Sequence, residues 1–318
     1  MPVSETVFMF SGQGSQYFHM GRALYDDNDT FRDWMLRLDD IARQSSGRSV
    51  IETLYSDENG RGDPFDRTLM THPAIFMVEY SLAQSLIHAG VWPDVVLGVS
   101  LGSFAAATVA GFIGVEDALT AVMRQAIALE EYCEPGGMTA VLADPALFAE
   151  DFLSGRSELA AVNFCSHFVV SARRTELQEI ETALRRYNVV YQRLPVSFPF
   201  HSRWIDKAKA PFESFMQSIQ CKQGRLPLVC CDQTETLSHL SDEYFWNVVR
   251  HPIRFREATA RLEQQGARRY IDVGTAGTLA TFLKYGMPAA TKSTVHAILT
   301  PYGFDQKNLA VLLASIRQ

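Results

Sequence analysis

The 318 residues hold little that would suit an extracellular, membrane-spanning or nucleic-acid-binding chain. Cysteine is scarce, with five residues at 133, 165, 221, 230 and 231, an odd number without a CxxC pair or a Cys/His cluster at zinc spacing. That pattern predicts no disulfide framework and no structural metal, and it indicates a reducing, cytoplasmic setting. Positive charge is also short: 29 Lys and Arg stand against 36 Asp and Glu, a net charge of −7, which argues against general binding to nucleic acid or anionic membranes. The opening MPVSETVFMF has no basic region and no cleavage-site pattern, so it reads as a first strand rather than a secretory signal. The longest charge-free run, Val95 to Val115, is diluted by Gly98, Gly102, Gly111, Gly114, Ser100, Ser103 and Thr108. It is therefore read as a buried strand and helix, not a membrane span. Internal repeats and low-complexity linkers are lacking too.

With 47% apolar and 20% charged residues, the composition is that of a globular protein large enough to bury about 75% of its unfolded surface. Strand signals at Thr6–Phe10 and Val95–Gly98 alternate with helical periodicity over residues 30–44, 74–89, 101–110 and 115–132, Pro73 being placed in a helix's first turn. After the breaker Glu134-Pro135-Gly136-Gly137 the order becomes strand, helix, strand, strand, helix, strand up to Leu194, the βαββαβ pattern of a ferredoxin-like unit. Alternating helices and strands then resume, with a helix expected over residues 204–219. The predicted fold is α/β: a mainly parallel sheet covered on both faces, formed by residues 1–134 and 196–318, with a small ferredoxin-like domain at 135–195.

Three segments carry chemistry. Gly98-Val99-Ser100-Leu101-Gly102 is a GxSxG between a strand and a helix, the context of a nucleophile elbow, where small flanking residues permit a strained turn and a helix N-terminus faces the developing oxyanion. A nucleophilic serine needs a base, and of the eight histidines His201 is favoured, because Phe198-Pro199-Phe200-His201-Ser202 re-enters the large domain at a break between strand and helix. No catalytic role is expected for His19, His72, His88, His167, His239, His251 or His296. Ser11-Gly12-Gln13-Gly14-Ser15-Gln16 follows the first strand; it lacks the Lys of a phosphate loop and reads either as a plain tight turn or as the source of an oxyanion-hole N–H from Gln13.

Together with Pro252-Ile253-Arg254-Phe255 and Asp272-Val273-Gly274, these motifs stand in an order that resembles the malonyl-CoA:acyl carrier protein transacylases, and more closely the stand-alone acyltransferase-like proteins of trans-acyltransferase polyketide synthases. The resemblance spans essentially the whole chain. It implies an α/β-hydrolase-like large domain with the ferredoxin-like insert, acylation of Ser100 from a thioester, proton transfer through His201, and an oxyanion hole from the N–H groups of Gln13 and Leu101. A backbone carbonyl near the Pro-x-Arg-Phe segment, placed at Arg254, is expected to orient the histidine.

Departures from the family pattern sharpen the expectation. Val99 and Ser103 replace the His and Glu common around the malonyl-loading nucleophile. The Arg that clamps the malonyl carboxylate in those enzymes lies 25 residues after the nucleophile, and here that position is Gln125. Neighbouring Arg124 is turned by about 100° on a helix, so only a one-residue bulge between Ala110 and Asp117 would return it to the clamp position. Losing a charge-assisted pair costs roughly 1.5–3 kcal/mol, about ten- to a hundredfold in preference for a carboxylated acyl group. Phe200, in contrast, is what malonyl-loading relatives carry before the histidine. Val99, Gln125 and Phe200 are the expected substrate-pocket residues.

The resulting expectation is an acyl hydrolase that clears acyl groups from acyl carrier proteins, with transfer of a malonyl or other acyl group to a carrier protein as the alternative. A catalytically silent carrier-docking scaffold is the third reading, disfavoured because both Ser100 and His201 are present. No metal or resident cofactor is expected, since the phosphopantetheine arm arrives with the substrate. The family suggests a monomer, and Arg203, Lys207, Lys209, Arg250 and Lys284 are candidates for a basic face toward an acidic carrier protein.

Overall fold

The computed structural model describes residues 5–316, so the outermost ends of the expected large domain, 1–4 and 317–318, lie outside the described residues. In chain order the strands are β1 (Glu5–Phe10), β2 (Val95–Gly98), β3 (Gly136–Val141), β4 (Glu158–Phe164), β5 (His167–Arg173), β6 (Tyr191–Arg193), β7 (Leu228–Cys230), β8 (Glu235–Leu237), β9 (Arg268–Asp272) and β10 (Thr294–Ala297). They form a six-stranded sheet of order β10-β9-β1-β2-β7-β8 and a four-stranded sheet of order β4-β5-β3-β6. The first is parallel apart from the β7–β8 hairpin. In the second every pairing is antiparallel, the arrangement of a ferredoxin-like unit.

The parallel sheet is covered on both faces, which is why its central strands are continuous apolar runs. Along β1, Phe8 and Phe10 enter one buried cluster while Val7 and Met9 enter the cluster on the opposite face, as the two-residue period of a strand requires. The small sheet packs Phe168 and Val170 against Leu177, Ile180 and Leu184 of the helix Arg174–Arg186. Its edge is tied to the rest of the chain by Val162 N–H donating to the Ile253 carbonyl at 2.9 Å and Ile253 N–H donating to the Ala160 carbonyl at 2.8 Å. Those contacts hold the two sheets either side of a cleft. No helix among the described residues is long and apolar enough to cross a membrane.

Several boundaries differ from the sequence expectation. The helix containing Pro73 begins earlier, at Thr68, and runs to His88, so the proline lies inside it. The helix expected over residues 204–219 is divided into a 3-10 turn, Arg203–Ala208, and an α-helix, Lys209–Met216. Pro211 falls in the first turn of the latter, where its missing N–H has no intrahelical partner to lose. The edge strands β8 and β10 and the helix Asp305–Ile316 carry weaker patterns and were not expected.

Close backbone approach fixes the turn after β2. A Cβ on Gly102 would lie 2.3 Å from the Ser11 carbonyl oxygen and 2.4 Å from that of Phe10, and one on Gly98 would lie 2.4 Å from Ser103 Cα. The neighbours are backbone atoms with no freedom to yield. Gly102→Ala should therefore lower stability by about 1–3 kcal/mol in urea unfolding, whereas Gly62→Ala, where a Cβ meets nothing within 4 Å, should stay within about 0.5 kcal/mol of the parent.

Candidate active site

Ser100 sits between β2 and the helix Gly102–Val109 with φ of 54°, a left-handed conformation that a non-glycine residue adopts only under constraint from its surroundings. His201 is held likewise, at φ of 59°. The two side chains meet: Ser100 Oγ lies 2.8 Å from His201 Nε2, and both residues are buried. The other ring nitrogen of His201, Nδ1, lies 2.7 Å from the His251 carbonyl oxygen. A carbonyl can only accept, so Nδ1 carries the proton and Nε2 offers its lone pair to the serine hydroxyl. Burial pushes the His201 pKa down to about 4, opposed by the hydrogen bond to the His251 carbonyl, with the charges of Arg250 and His251 adding to the lowering.

The orienting carbonyl belongs to His251, which corrects the expectation of Arg254. His251 caps the helix Tyr244–Arg250 in an extended conformation, as a residue before proline must, and so its carbonyl is turned out of the helix. The Arg254 carbonyl is committed elsewhere, accepting from Ala258 N–H at 3.0 Å as the first bond of the helix Phe255–Gln264. The His251 ring in turn lies 3.1 Å from Asp232 through Nδ1. The His-Pro dipeptide was the available signal for this role.

The loop after β1 packs on Ser100, since a Cβ on Gly12 would lie 2.8 Å from Ser100 Cβ. Gln13 follows it, with its side-chain N–H donating to Thr71 Oγ1 at 2.7 Å. Among the described residues no protein acceptor takes the N–H of Gln13 or of Leu101. Ser100, His201, Gln13, Val99 and Phe200 all line one cavity of about 270 Å³ between the two sheets. Met138, Ala140 and Val169 of the small sheet form an apolar wall with Leu194 and Phe282, and Asn163, His167 and Gln192 supply neutral hydrogen-bonding groups. Burial also lowers the His167 pKa, so that ring is neutral at pH 7. Sequence reasoning did not single out these wall residues, because spacing along the chain carries no sign of which sheet face turns toward the cleft.

No Lys, Arg, Asp or Glu lines this cavity. Arg124 is exposed, its guanidinium 5.6 Å above the Phe215 ring. Gln125 is fully buried, but the expectation that it lines the pocket is corrected: its amide N–H lies 3.5 Å from the Phe245 carbonyl, and it does not reach the cavity wall. The helix Val115–Tyr132 turns this side chain toward Phe245 rather than into the cleft, and its Oε1 has no hydrogen-bond partner among the described residues. Of the expected basic face, Arg203 pairs with Glu158, Lys207 with Glu134, Lys209 with Glu213 and Glu243, and Arg250 with Asp206 and Glu158. Only Lys284 among the five has no carboxylate within ion-pair distance among the described residues.

A family model described as an acyl transferase domain matches residues 7–318. The chain is 44% identical over 311 residues to a polyketide biosynthesis acyltransferase homolog, BaeD, of Bacillus velezensis, covering 98% of this chain and 96% of that protein. It is 42% identical over 304 residues to a second such homolog, PksD of Bacillus subtilis, covering 95% and 94% respectively. Among solved structures, a loading acyltransferase from the avermectin modular polyketide synthase superposes with a TM-score of 0.90 at 27% identity, over 98% of this chain and 100% of the other.

The lowered pKa of His201 gives the site a pH signature. The folded pKa, about 4, lies below the ordinary value of 6.5, so the unfolded chain takes up the proton first and stability falls as pH drops from about 6.5 to about 4. Over the same window the neutral base persists, and the acid limb of kcat/KM for acylation by a neutral thioester should lie near pH 4 to 5 rather than 6.5. A rapid-mixing pH profile with brief exposure separates the two effects.

Proposed function

The chain belongs to the acyl transferase domain family, and from that premise we propose that it is an acyl hydrolase of polyketide biosynthesis, clearing acyl groups from acyl carrier protein thioesters through a Ser100 acyl-enzyme. The observation that carries this reading is the uncharged cavity wall around Ser100. An acyl group bearing a carboxylate would leave water for a site with no cation to meet it, a cost that an uncharged acyl chain does not incur.

In the proposed mechanism His201 Nε2 takes the Ser100 hydroxyl proton as Oγ bonds to the thioester carbonyl carbon. The negative charge that develops on the carbonyl oxygen is met by the N–H groups of Gln13 and Leu101. Collapse of that intermediate breaks the C–S bond, and the imidazolium returns the proton to the departing pantetheine thiol. Water then enters, gives a proton to His201 Nε2 and bonds to the acyl carbon; Ser100 Oγ leaves with that proton, and the free acid is released. His251 serves throughout by accepting the Nδ1 hydrogen bond, which stabilises the imidazolium without a carboxylate.

Transfer to a second carrier thiol shares every step up to the acyl-enzyme. Phe200, buried at the cavity wall, is the feature that favours it, since the malonyl-loading relatives the sequence resembles carry Phe there. Four of the five candidate docking cations have carboxylate neighbours, so carrier recognition would rest on Lys284 and on shape more than on a strong positive field.

Intact-mass time courses distinguish the readings. With acetyl- or longer acyl-carrier protein the wild type should release free acid, Ser100→Ala should release none, and malonyl-CoA should load Ser100 about ten- to a hundredfold less efficiently than an uncharged acyl thioester. Efficient malonyl loading followed by passage to an empty carrier protein would overturn the hydrolase in favour of the transferase.

A further inference from the structure

Glu79 is the one acidic residue in the apolar stretch Ala74–Ala83 of the helix Thr68–His88, and it is fully buried. Its Oε1 accepts two hydrogen bonds from one residue: the Ser11 N–H at 2.8 Å and the Ser11 hydroxyl at 2.7 Å. Ser11 is the first residue after β1. The next, Gly12, is in van der Waals contact with the nucleophile, and a Cβ there would also come within 2.9 Å of the Val99 carbonyl. Gln13, one residue further, bears the N–H assigned to the oxyanion. One carboxyl group thus grips the root of a three-residue lever that ends at the N–H assigned to the oxyanion.

A second buried carboxyl group stands on the other side of Ser11. Asp272 accepts Gly274 N–H at 2.9 Å and Ala280 N–H at 2.8 Å, at the start of the helix Thr278–Gly286. A Cβ on Gly274 would lie 2.5 Å from Ser11 Oγ and 2.7 Å from Asp272 Oδ1, so Asp272 and the Ser11 hydroxyl, from which Glu79 accepts, converge on that glycine. Burial pushes Asp272 up to about 6, against the pull of its backbone donors, which leaves it ionised at neutral pH. Glu79 is pushed well above the carboxylic range, by burial first and also by the Asp272 charge, although its bonds from Ser11 oppose the shift. The two carboxyl groups disfavour each other's ionisation, and the upward push is the stronger on Glu79.

We propose that Glu79 is a positioning residue for the oxyanion hole, fixing Ser11 and, through Gly12, the direction of the Gln13 N–H at Ser100. It acts as a hydrogen-bond acceptor. The role rests on the reading that Ser100 is acylated with Gln13 as an oxyanion donor. A residue needed only for packing would alter stability while leaving the transition state and the ground state equally bound; a positioning residue alters the transition state selectively.

The test compares Glu79→Gln, Glu79→Leu and Ser11→Ala by rates of Ser100 acylation from an acyl thioester and by affinity for an alkyl boronate, which forms a tetrahedral anion on the serine. Glu79→Gln, whose amide oxygen can accept both bonds, should stay within about threefold of wild type. Glu79→Leu should lower kcat and boronate affinity together by about ten- to a hundredfold with KM nearly unchanged, somewhat less than deletion of an oxyanion donor, and Ser11→Ala should fall between. Wild-type acylation and boronate affinity in Glu79→Leu, an effect on KM alone, or a Glu79→Gln variant as impaired as Glu79→Leu would each overturn the proposal. Should Glu79→Leu fail to fold, Ser11→Ala at the wild-type rate with wild-type boronate affinity overturns it. The boronate arm needs no thioester, so a wild type that binds boronate yet accepts no acyl thioester refutes the functional reading while the affinity ratios still decide the role of Glu79.

Discussion

The hydrogen bond from His201 Nδ1 to the His251 carbonyl, 2.7 Å long, is the interaction on which the rest of the site depends. It decides the tautomer, and the tautomer decides whether Nε2 can accept from Ser100. A backbone carbonyl does this without bringing a second ionisable group into the cavity, so the base stays neutral over a wide pH range and the environment stays free of fixed charge. The carbonyl is available because Pro252 forces His251 out of helical conformation at the end of the helix Tyr244–Arg250. A local rule of backbone sterics thus reaches the base through one bond.

Ser100 is held by a different means. Ser100 and His201 both occupy left-handed conformations, at 54° and 59° in φ, and such strain persists only where the surroundings over-determine it. At Ser100 that constraint comes from Gly98, Gly102 and Gly12, which let three backbone segments approach within distances that a methyl group would block. The turns after β1 and β2 are consequently locked together, and Glu79 holds the first of them by accepting from Ser11. Rigid placement of donors before the reaction begins is what makes an oxyanion hole effective, because no reorganisation remains to be done at the transition state.

The cavity itself is a product of two sheets. The parallel sheet delivers Ser100 at the C-terminal end of β2, the usual place for a site in an open α/β sheet; His201 comes from the segment between β6 and the 3-10 turn Arg203–Ala208, and the antiparallel sheet closes the other side with Met138, Ala140 and Val169. No Lys, Arg, Asp or Glu enters the cavity lining. Arg124, one residue from the position that resembles the family's carboxylate clamp, spends its charge over Phe215 at the surface, and Gln125 spends its amide on Phe245.

Much of this was legible in the sequence. Parallel strands buried on both faces read as apolar runs, the βαββαβ order announced the small sheet, and Ser100 was marked by its flanking glycines because close approach admits no side chain. His201 was marked by pairing with that serine. The misplaced helix starts around Pro73 and Pro211 arose because a proline near a helix start satisfies local rules in more than one register. What the sequence alone determined was therefore whatever depends on neighbours a few residues away: element type, the strained turns, the order of the motifs. Only the tertiary structure decided that His251 rather than Arg254 orients the base, that Gln125 stays off the cavity wall, and that Glu79 holds Ser11 across 68 positions of chain. Those outcomes turn on which carbonyl or carboxyl is left unbonded when distant segments come together, and hydrogen-bonding capacity of that kind is assigned by packing, not by spacing along the chain.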